Sequence, residues 1–566
     1  MARAPSLSGM SPQSKSHRHA TEAVLFALAL LIGLARGLAA RHLINPDGIS
    51  YLDLGDAYLR GDWSAAINGY WSPLYPVVLG LALKILKPSP AWEFPVAHYV
   101  TFGIYIAALL CFRFFWKNVI QYHAAQRKDY ETQGLAQLPE SVWIAFGYAI
   151  FLVSCVEFVN LEYIGADMSL TAIVYLAAGI LLRIRHRQVT WKTHFLLGIL
   201  LGFAYLAKAV MLPMSAAFIL ATFRFGAGFR KMLWNAVFVL IGLALIVTPY
   251  VWALSTHYGH LTYSESRNLM YAFTIDGIPF WWTGDPPGFG QPLHPRTRIF
   301  DQPAAFVFES PRGTYPGWYD PSYWLAGLEP HFRFRGQLAR LKVDGQILFD
   351  IFLGVFQVGL MISTAIWYFF GGERLRAARG LWKRWFFFLP PLAAIAIYLP
   401  IWMEPRYLAP FLGLFWAGMF CGVRMPDSPQ SRKLLICTAA AVVPVTFLVV
   451  LGSTAAAFDR IGNVPVQFLV ADYLHQIGIR PGDRVGAVGR VMECGWARLA
   501  RVQITTEINH GSDAAFRTSA APVRSAVVAA MFRTGVRAIV SDSREDSGCP
   551  SGWHGVASTG FYVCAP

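Results

Sequence analysis

The chain has 566 residues, 55% hydrophobic and only 14% charged, with a formal net charge of +15. Soluble domains hold about 25% charged residues, so a soluble globular enzyme is excluded, and a mean hydropathy of +0.42 agrees. Nucleic-acid binding is excluded too, because Lys and Arg gather in short clusters beside apolar runs, as the positive-inside rule expects of a membrane protein, and form no basic stripe or recognition module.

In chain order, residues 1–21 are polar and basic, with Arg3, Lys15 and Arg18. The apolar run 22–40 is too long for a signal-peptide core and lacks a small-residue cleavage site, so it reads as a retained first span behind a cytoplasmic tail. Further apolar runs fall at 72–87, 94–116, 141–159, 167–184, 193–209, 210–225, 232–254, 346–370, 384–402, 405–423 and 433–452. A crossing helix needs about 20 apolar residues, and roughly 11–13 spans are expected. Basic "ERLRAARGLWKR" (373–384) and the cluster Arg424, Arg432, Lys433 belong inside, which places 257–345 and the tail from 453 outside. An inside N-terminus and an outside 257–345 require an odd number of crossings, yet eight runs precede that loop. One run within 72–165 is therefore re-entrant or pairs with a neighbour. "RIRHRQVTWK" (183–192) and "RFGAGFRK" (224–231) both ask for the cytoplasm, which sets Asp167 and Lys208 near the outer side.

The first outer segment, 41–71, runs through "NPDGISYLDLGDAYLRGDWSAAINGYWSPLYP" (45–76), where Asp47, Asp53, Asp56 and Asp62 outnumber Arg41 and Arg60. Read as a helix, 48–60 brings Ile49, Leu52, Asp53 and Asp56 near one face, and Asp47 follows Pro46 where a cap would stand. Two readings stand for Asp47: capping with solvated charge, or a carboxylate fixed at the bilayer surface within reach of a lipid headgroup. Lys208, in "GFAYLAKAVMLP", is a charge in an apolar run, costly by about 2.5–3.5 kcal/mol at a span centre. It either snorkels to the interface or holds an anion such as a lipid phosphate. In "WMEPRYLAPF" (402–411), Arg406 either pairs with Glu404 or offers its donor fork to phosphate. Glu162 and Asp167 form a further acidic pair. His294 has no second His or Cys at ligand spacing, so no metal site is assigned.

The outer loop 257–345 is rich in Trp, Pro, Gly and Tyr. Trp281, Trp282, Trp318, Tyr319 and Trp324 read either as sugar-stacking platforms or as an interfacial aromatic belt. Segment 332–345 mixes apolar and basic residues like a helix lying on the membrane surface. The tail alternates strand and helix patterns: a strand in "RPGDRVGAVG", a helix in "MECGWARLAR", a strand in "VQITTEI", a helix in "APVRSAVVAAMFRTG" and a strand in "VRAIVSDS". That alternation predicts a small α/β domain, with neither a phosphate-binding glycine fingerprint nor an acid, base and nucleophile set. The division expected is therefore a cytoplasmic tail at 1–21, a transmembrane domain at 22–452 and an extracytoplasmic α/β domain at 453–566. Cys111, Cys155, Cys421 and Cys437 lie in apolar runs as packing residues. Of Cys494, Cys549 and Cys564 in the tail, two can pair in an oxidising compartment.

These features together resemble the GT-C class of polyprenyl-phosphate-sugar-dependent membrane glycosyltransferases of bacteria, relatives of the protein O-mannosyltransferases and of the aminoarabinose transferases that modify lipid A. The resemblance rests on Asp47 and Tyr51 in "DGISY", the Pro-rich "SPLYP" (72–76), Asp167 in "GADMSL" and Lys208 after the Gly-rich "LGILLGFAYLAK". It also rests on "TPYVWALSTHYG" ahead of the large loop and on Arg406 with Tyr407 in "EPRY". It covers roughly 22–424. Two positions depart from the pattern: Gly48 follows Asp47 where relatives often carry an acid, and Tyr70 with Trp71 replace an acid-Lys pair.

The resemblance implies a polytopic α-helical GT-C-like fold with an outer cavity open to bilayer and water. The implied activity is transfer of a hexosyl or pentosyl unit from a polyprenyl-phosphate-linked donor to a glycan, lipid or protein acceptor, at the outer face of a bacterial inner membrane. Asp47 is the expected base, with Asp53 second; Lys208, Arg406 and Arg267 are the expected phosphate ligands, and Tyr51, Asp167 and Tyr407 support them. No metal or cofactor is required by these residues. A transporter or flippase of a lipid-linked saccharide is the alternative, although internal repeats of the kind many transporters carry are not visible; a non-catalytic export or scaffold subunit is a third reading.

Overall fold

The computed structural model describes residues 12–187, 189–224, 228–370, 380–459, 466–543, 549 and 551–566. Parts of the basic clusters read above, including 1–11, 188, 225–227 and 373–379, lie outside the described residues. Among the described residues six helices are long and apolar enough to cross a membrane: His19–Ala40, Pro90–Ala124, Glu140–Phe158, Asp167–His186, Phe229–Tyr258 and Pro429–Phe458. Phe334–Leu353 and Val355–Phe369 add one more if taken as a single span bent by 72°. Leu74–Leu86, Trp191–Ala207, Met211–Ala221 and Trp385–Tyr398 are shorter apolar helices. The chain is a multi-pass membrane protein. Its helices cross closely where glycines face each other: a Cβ on Gly198 would lie 2.0 Å from the Val239 carbonyl, and one on Gly242 2.3 Å from that of Phe195. Small residues of this kind let two backbones meet, which is how helices gain contact in lipid.

One end of the bundle carries a sheet; the other does not. At the sheet end, Arg36 links Glu157 (3.2 Å), Glu162 (2.9 Å) and Ser453 (3.0 Å), tying three spans together. At the far end, Glu22 pairs with Arg113 (2.6 Å), Tyr130 Oη donates to the Cys421 carbonyl (3.0 Å), and Arg185 donates to the Phe223 carbonyl.

These ties resolve the parity problem. Leu74–Leu86 is a 13-residue helix about 20 Å long, and the partners at its two ends decide its course. It lies against Pro46–Arg60: a Cβ on Gly55 would meet the Pro76 carbonyl at 2.8 Å, and one on Gly80 the Gly55 carbonyl at 2.6 Å. The next helix, Pro90–Ala124, starts with Glu93 bonded to Arg498 and Arg501 of the tail. Both ends of Leu74–Leu86 therefore stay at the sheet end. The remaining passages before the large loop, among the described residues, begin at Pro12, Pro90, Glu140, Asp167, Trp191, Met211 and Phe229, an odd set.

The sheet has seven strands in the order β1-β2-β4-β3-β5-β7-β6. β3 (Arg484–Gly489), β4 (Gln503–Asn509) and β5 (Ile539–Ser541) run parallel in its middle, where Val485, Val488, Ile504 and Ile508 are buried together with the polar Thr505, Thr506 and Glu507 of β4. β6 (His554–Gly555) and β7 (Tyr562–Cys564) close one edge, and a Cys549–Cys564 disulfide pins β7. Cys494 is the unpaired third cysteine and is buried. β1 (Thr297–Phe300) and β2 (Ala305–Val307) come from the large loop, and β2 pairs antiparallel with β4. Loop and tail thus share one sheet, locked by buried Glu507, which takes an ion pair from Arg296 and a hydrogen bond from Tyr315 Oη (2.8 Å).

Several of the loop aromatics do neither of the jobs expected of them. Trp282, Tyr319 and Trp324 are buried in apolar clusters, so they are core residues rather than platforms or a belt. The helix that begins in segment 332–345 lies across the sheet end. Gln337 Nε2 donates to the Pro400 carbonyl (2.6 Å), and the Met403 amide donates to Asp344 (3.1 Å). The chain then bends into Val355–Phe369.

Candidate active site

Asp47 is the second residue of the helix Pro46–Arg60, and Pro46 fixes the first turn. Asp47 does not cap that turn. Its Oδ1 accepts from Trp318 Nε1–H (3.1 Å), which projects from the large loop. Burial pushes the Asp47 carboxyl above the ordinary carboxylate range; Arg406 and the Trp318 hydrogen bond pull the other way without cancelling it. Tyr51, one turn on, packs edge-on against Trp71 (5.1 Å) and Tyr75 (5.2 Å) and walls the site. Tyr70 and Trp71, where relatives are expected to carry an acid and a lysine, pack on Trp318 at 5.5 and 5.6 Å. Trp71 Nε1–H also donates to the Trp318 carbonyl (3.1 Å). This chain therefore uses an aromatic brace to aim the indole at Asp47.

Asp167 opens the helix Asp167–His186. Lys208 sits in the break between Trp191–Ala207 and Met211–Ala221, where its backbone is extended. Its Nζ donates to Asp167 Oδ1 (2.5 Å) and lies 3.8 Å from the centroid of the Tyr407 ring. Lys208 therefore turns inward to a partner instead of snorkelling. Arg406, in the first turn of Pro405–Cys421, reaches Asp167 Oδ2 (3.4 Å) and Glu404 Oε2 (2.5 Å). Trp402 Nε1–H fixes the other Glu404 oxygen (2.5 Å), and Tyr398 stacks on Tyr407 at 4.7 Å. Two cations and three carboxylates, counting Asp47, thus meet at the sheet end. Asp167 and Glu404 hold both cations, and Arg406 acts on Asp47 electrostatically.

Two expected residues lie elsewhere. Asp53 faces away from this cluster: it accepts from the Thr314 amide (2.7 Å), from Thr314 Oγ1 (2.9 Å) and from Arg498 (2.7 Å). Arg498 also grips Glu93 with two nitrogens (3.0 and 2.7 Å) and Asp56 (2.8 Å). Arg267 is exposed on the short helix Ser266–Tyr271 and makes no ion pair with the cluster among the described residues. Glu162 serves Arg36 instead of joining Asp167. His294 stacks on Tyr323 (3.9 Å), and no group of three or more His, Cys, Asp and Glu suited to a metal occurs among the described residues. Trp318, Thr314 and Arg498 were not singled out for these roles from sequence. Their partners lie 271, 261 and 445 residues away, and no local pattern announces such pairings.

A bundle of apolar helices, short broken helices carrying inward charges, and a sheet domain seated over them define the GT-C type of membrane glycosyltransferase fold. The structure of ArnT from Cupriavidus metallidurans in the apo state superposes with a TM-score of 0.52 at 13% identity, covering 96% of this chain and 97% of that one. The same protein bound to undecaprenyl phosphate gives 0.50 with the same identity and coverage. An archaeal oligosaccharyltransferase from Archaeoglobus fulgidus, tethered to an acceptor peptide, matches at 0.47 and 12% identity, over 92% of this chain and 69% of that one. No protein-family model matches the sequence, and no curated protein matches it.

Proposed function

We propose that this protein transfers a sugar from a polyprenyl-phosphate-linked donor to an acceptor hydroxyl at the sheet end of the bundle, and that this end faces out of the cytoplasm of a bacterial inner membrane. The orientation is supported by the far end, which holds Arg185, Arg384, Arg424 and Arg432. The donor class is supported by the fold shared with a protein solved with undecaprenyl phosphate bound. The observation that carries the reading is the meeting of Asp47, Asp167, Lys208 and Arg406 at one site.

In the reaction proposed, the acceptor oxygen attacks the anomeric carbon as the bond from that carbon to the phosphate oxygen breaks. The acceptor proton passes to Asp47, and the bond's electron pair leaves with the phosphate. Direct attack inverts the anomeric centre. Lys208 and Arg406 stabilise the departing phosphate, exchanging contacts to Asp167 and Glu404 for contacts to it. Asp167 keeps both cations ordered until the donor arrives. Asp53, already committed to Arg498 and Thr314, is left out of the chemistry. The test is transfer of labelled sugar from a synthetic polyprenyl phosphate by the purified chain. Labelled lipid that crosses vesicles without sugar transfer would instead identify a flippase.

A further inference from the structure

A second cavity, of about 420 Å³, lies where the C-terminal half of Pro46–Arg60, the loop around 311–319 and the tail around 482–503 meet. Its volume lies in the range of small-molecule sites, and charged groups line it in two layers. At the exposed mouth stand Arg60 and Arg312, with Asp62 between them electrostatically. Arg312 gives one nitrogen to the Ser64 carbonyl (2.5 Å). Among the described residues neither arginine has an ion-pair partner within salt-bridge distance. Asp62 Oδ1 is already occupied by Ser64 Oγ (2.8 Å) and the Ala65 amide (3.2 Å). The mouth therefore holds a surplus of cationic donors.

The floor is balanced. Arg498 and Arg501 face Asp53 and Asp56 there, and Glu93, behind the lining, binds both arginines. Gln503 spends its amide N–H on the Gly313 carbonyl (2.9 Å), leaving its own carbonyl oxygen as an acceptor. Hydroxyls can donate to such a floor, and an anion can rest on the mouth.

We infer that this cavity binds a sugar unit carrying an anionic substituent, a carboxylate or phosphate, with the anion on Arg60 and Arg312 and the hydroxyls toward Asp56 and Gln503. It lies along the same helix as Asp47 but on the face turned away from it, about 13 Å along the axis from Asp47 to Asp56, so its place is that of a more distant anionic unit of a long acceptor glycan; that role rests on the transferase reading above, whereas the binding itself does not.

Isothermal titration of the purified full-length protein with glucuronate, glucose 6-phosphate, glucose and inorganic phosphate tests it. The two anionic sugars should bind at least about tenfold tighter than glucose, as charge-assisted hydrogen bonds require, and tighter than phosphate. The double substitution Arg60→Gln, Arg312→Gln changes two exposed residues; it should abolish that preference and leave thermal stability unchanged. Equal binding of glucose and glucuronate, an unaltered double variant, or phosphate binding as tightly as its sugar ester would each overturn the inference. Sugar transfer by a protein that binds none of these compounds would remove the cavity and leave the transferase standing. Saturable binding without transfer to any acceptor would keep the cavity and remove its acceptor role.

Discussion

Asp47 combines two properties that a general base needs and rarely has together: a raised affinity for protons and a donor that holds its carboxylate in one orientation. General-base help is worth about 10²–10⁴-fold. Asp47→Asn should therefore lower turnover by at least about a hundredfold while the donor lipid still binds; a variant retaining a tenth of the activity would rule the base out. The pH dependence has a definite sign. The base must be deprotonated, so kcat/KM should rise with pH through a carboxyl pKa displaced upward from the ordinary aspartate value of about 3.9, then level off. Trp318→Phe removes a hydrogen bond that favours the charged form, so its acid limb should move to higher pH; a limb that stays in place or moves down would separate Trp318 from Asp47. Lys208→Ala removes one of two cations from the leaving group, and its loss should fall on donor use, with acceptor KM unchanged. Lys208 stands out in the sequence because a charge in an apolar run is expensive and so has a reason to be there, and Asp47 because its acidic segment directly follows the first apolar run. Trp318 was not legible, since one indole among several aromatics in the loop carries no mark of its target.

Among the elements, the helix Pro46–Arg60 has the most to hold in place, because its first turn carries Asp47 and its later turns carry Asp53 and Asp56. Arg498 secures those later turns from the tail and joins them to Glu93 of the span Pro90–Ala124. The Arg498, Asp53 and Glu93 side chains are at most 5% exposed. Removing one partner of such a network leaves buried charge uncompensated, at a cost of about 3–5 kcal/mol. Arg498→Met should show this as a clear drop in melting temperature, and adding Asp53→Asn should restore part of it, because the buried carboxylate that Arg498 pairs is then gone, whereas Glu93 keeps Arg501. A single variant that melts with the parent protein would mean that water reaches the network freely. β3, β4 and β5 could be read from sequence because each is a short stretch rich in β-branched or apolar residues near turn residues, whereas β6 and β7, two and three residues long, could not. β1 and β2 could not, being only four and three residues long inside a Pro-rich loop. Only the pairing of β2 with β4, some 200 residues on, and of β1 with β2 makes them strands.

At the scale of the whole molecule, the charge clusters set the ends of the bundle but left one apolar run without a place, because hydrophobicity does not distinguish a helix facing lipid from one facing protein. One face of Leu74–Leu86 packs between Pro46–Arg60 and the span that follows, with Tyr75 and Leu79 fully buried, while Leu81, Ile85 and Leu86 are exposed on the other. The glycine contact between Gly55 and Gly80 brings it against Pro46–Arg60, whose later turns the tail holds through Arg498. This predicts an accessibility pattern. In an otherwise cysteine-free background, Ser89→Cys should react with a membrane-impermeant maleimide from the same side as a cysteine at Asp62 or in the tail. Gln133→Cys, in the segment joined to Met425 at the far end, should react only from the opposite side. If Leu74–Leu86 crossed the membrane, positions 62 and 89 would label from opposite faces. Glu93 could not then reach Arg498, and the tail could not hold the helix that presents Asp47.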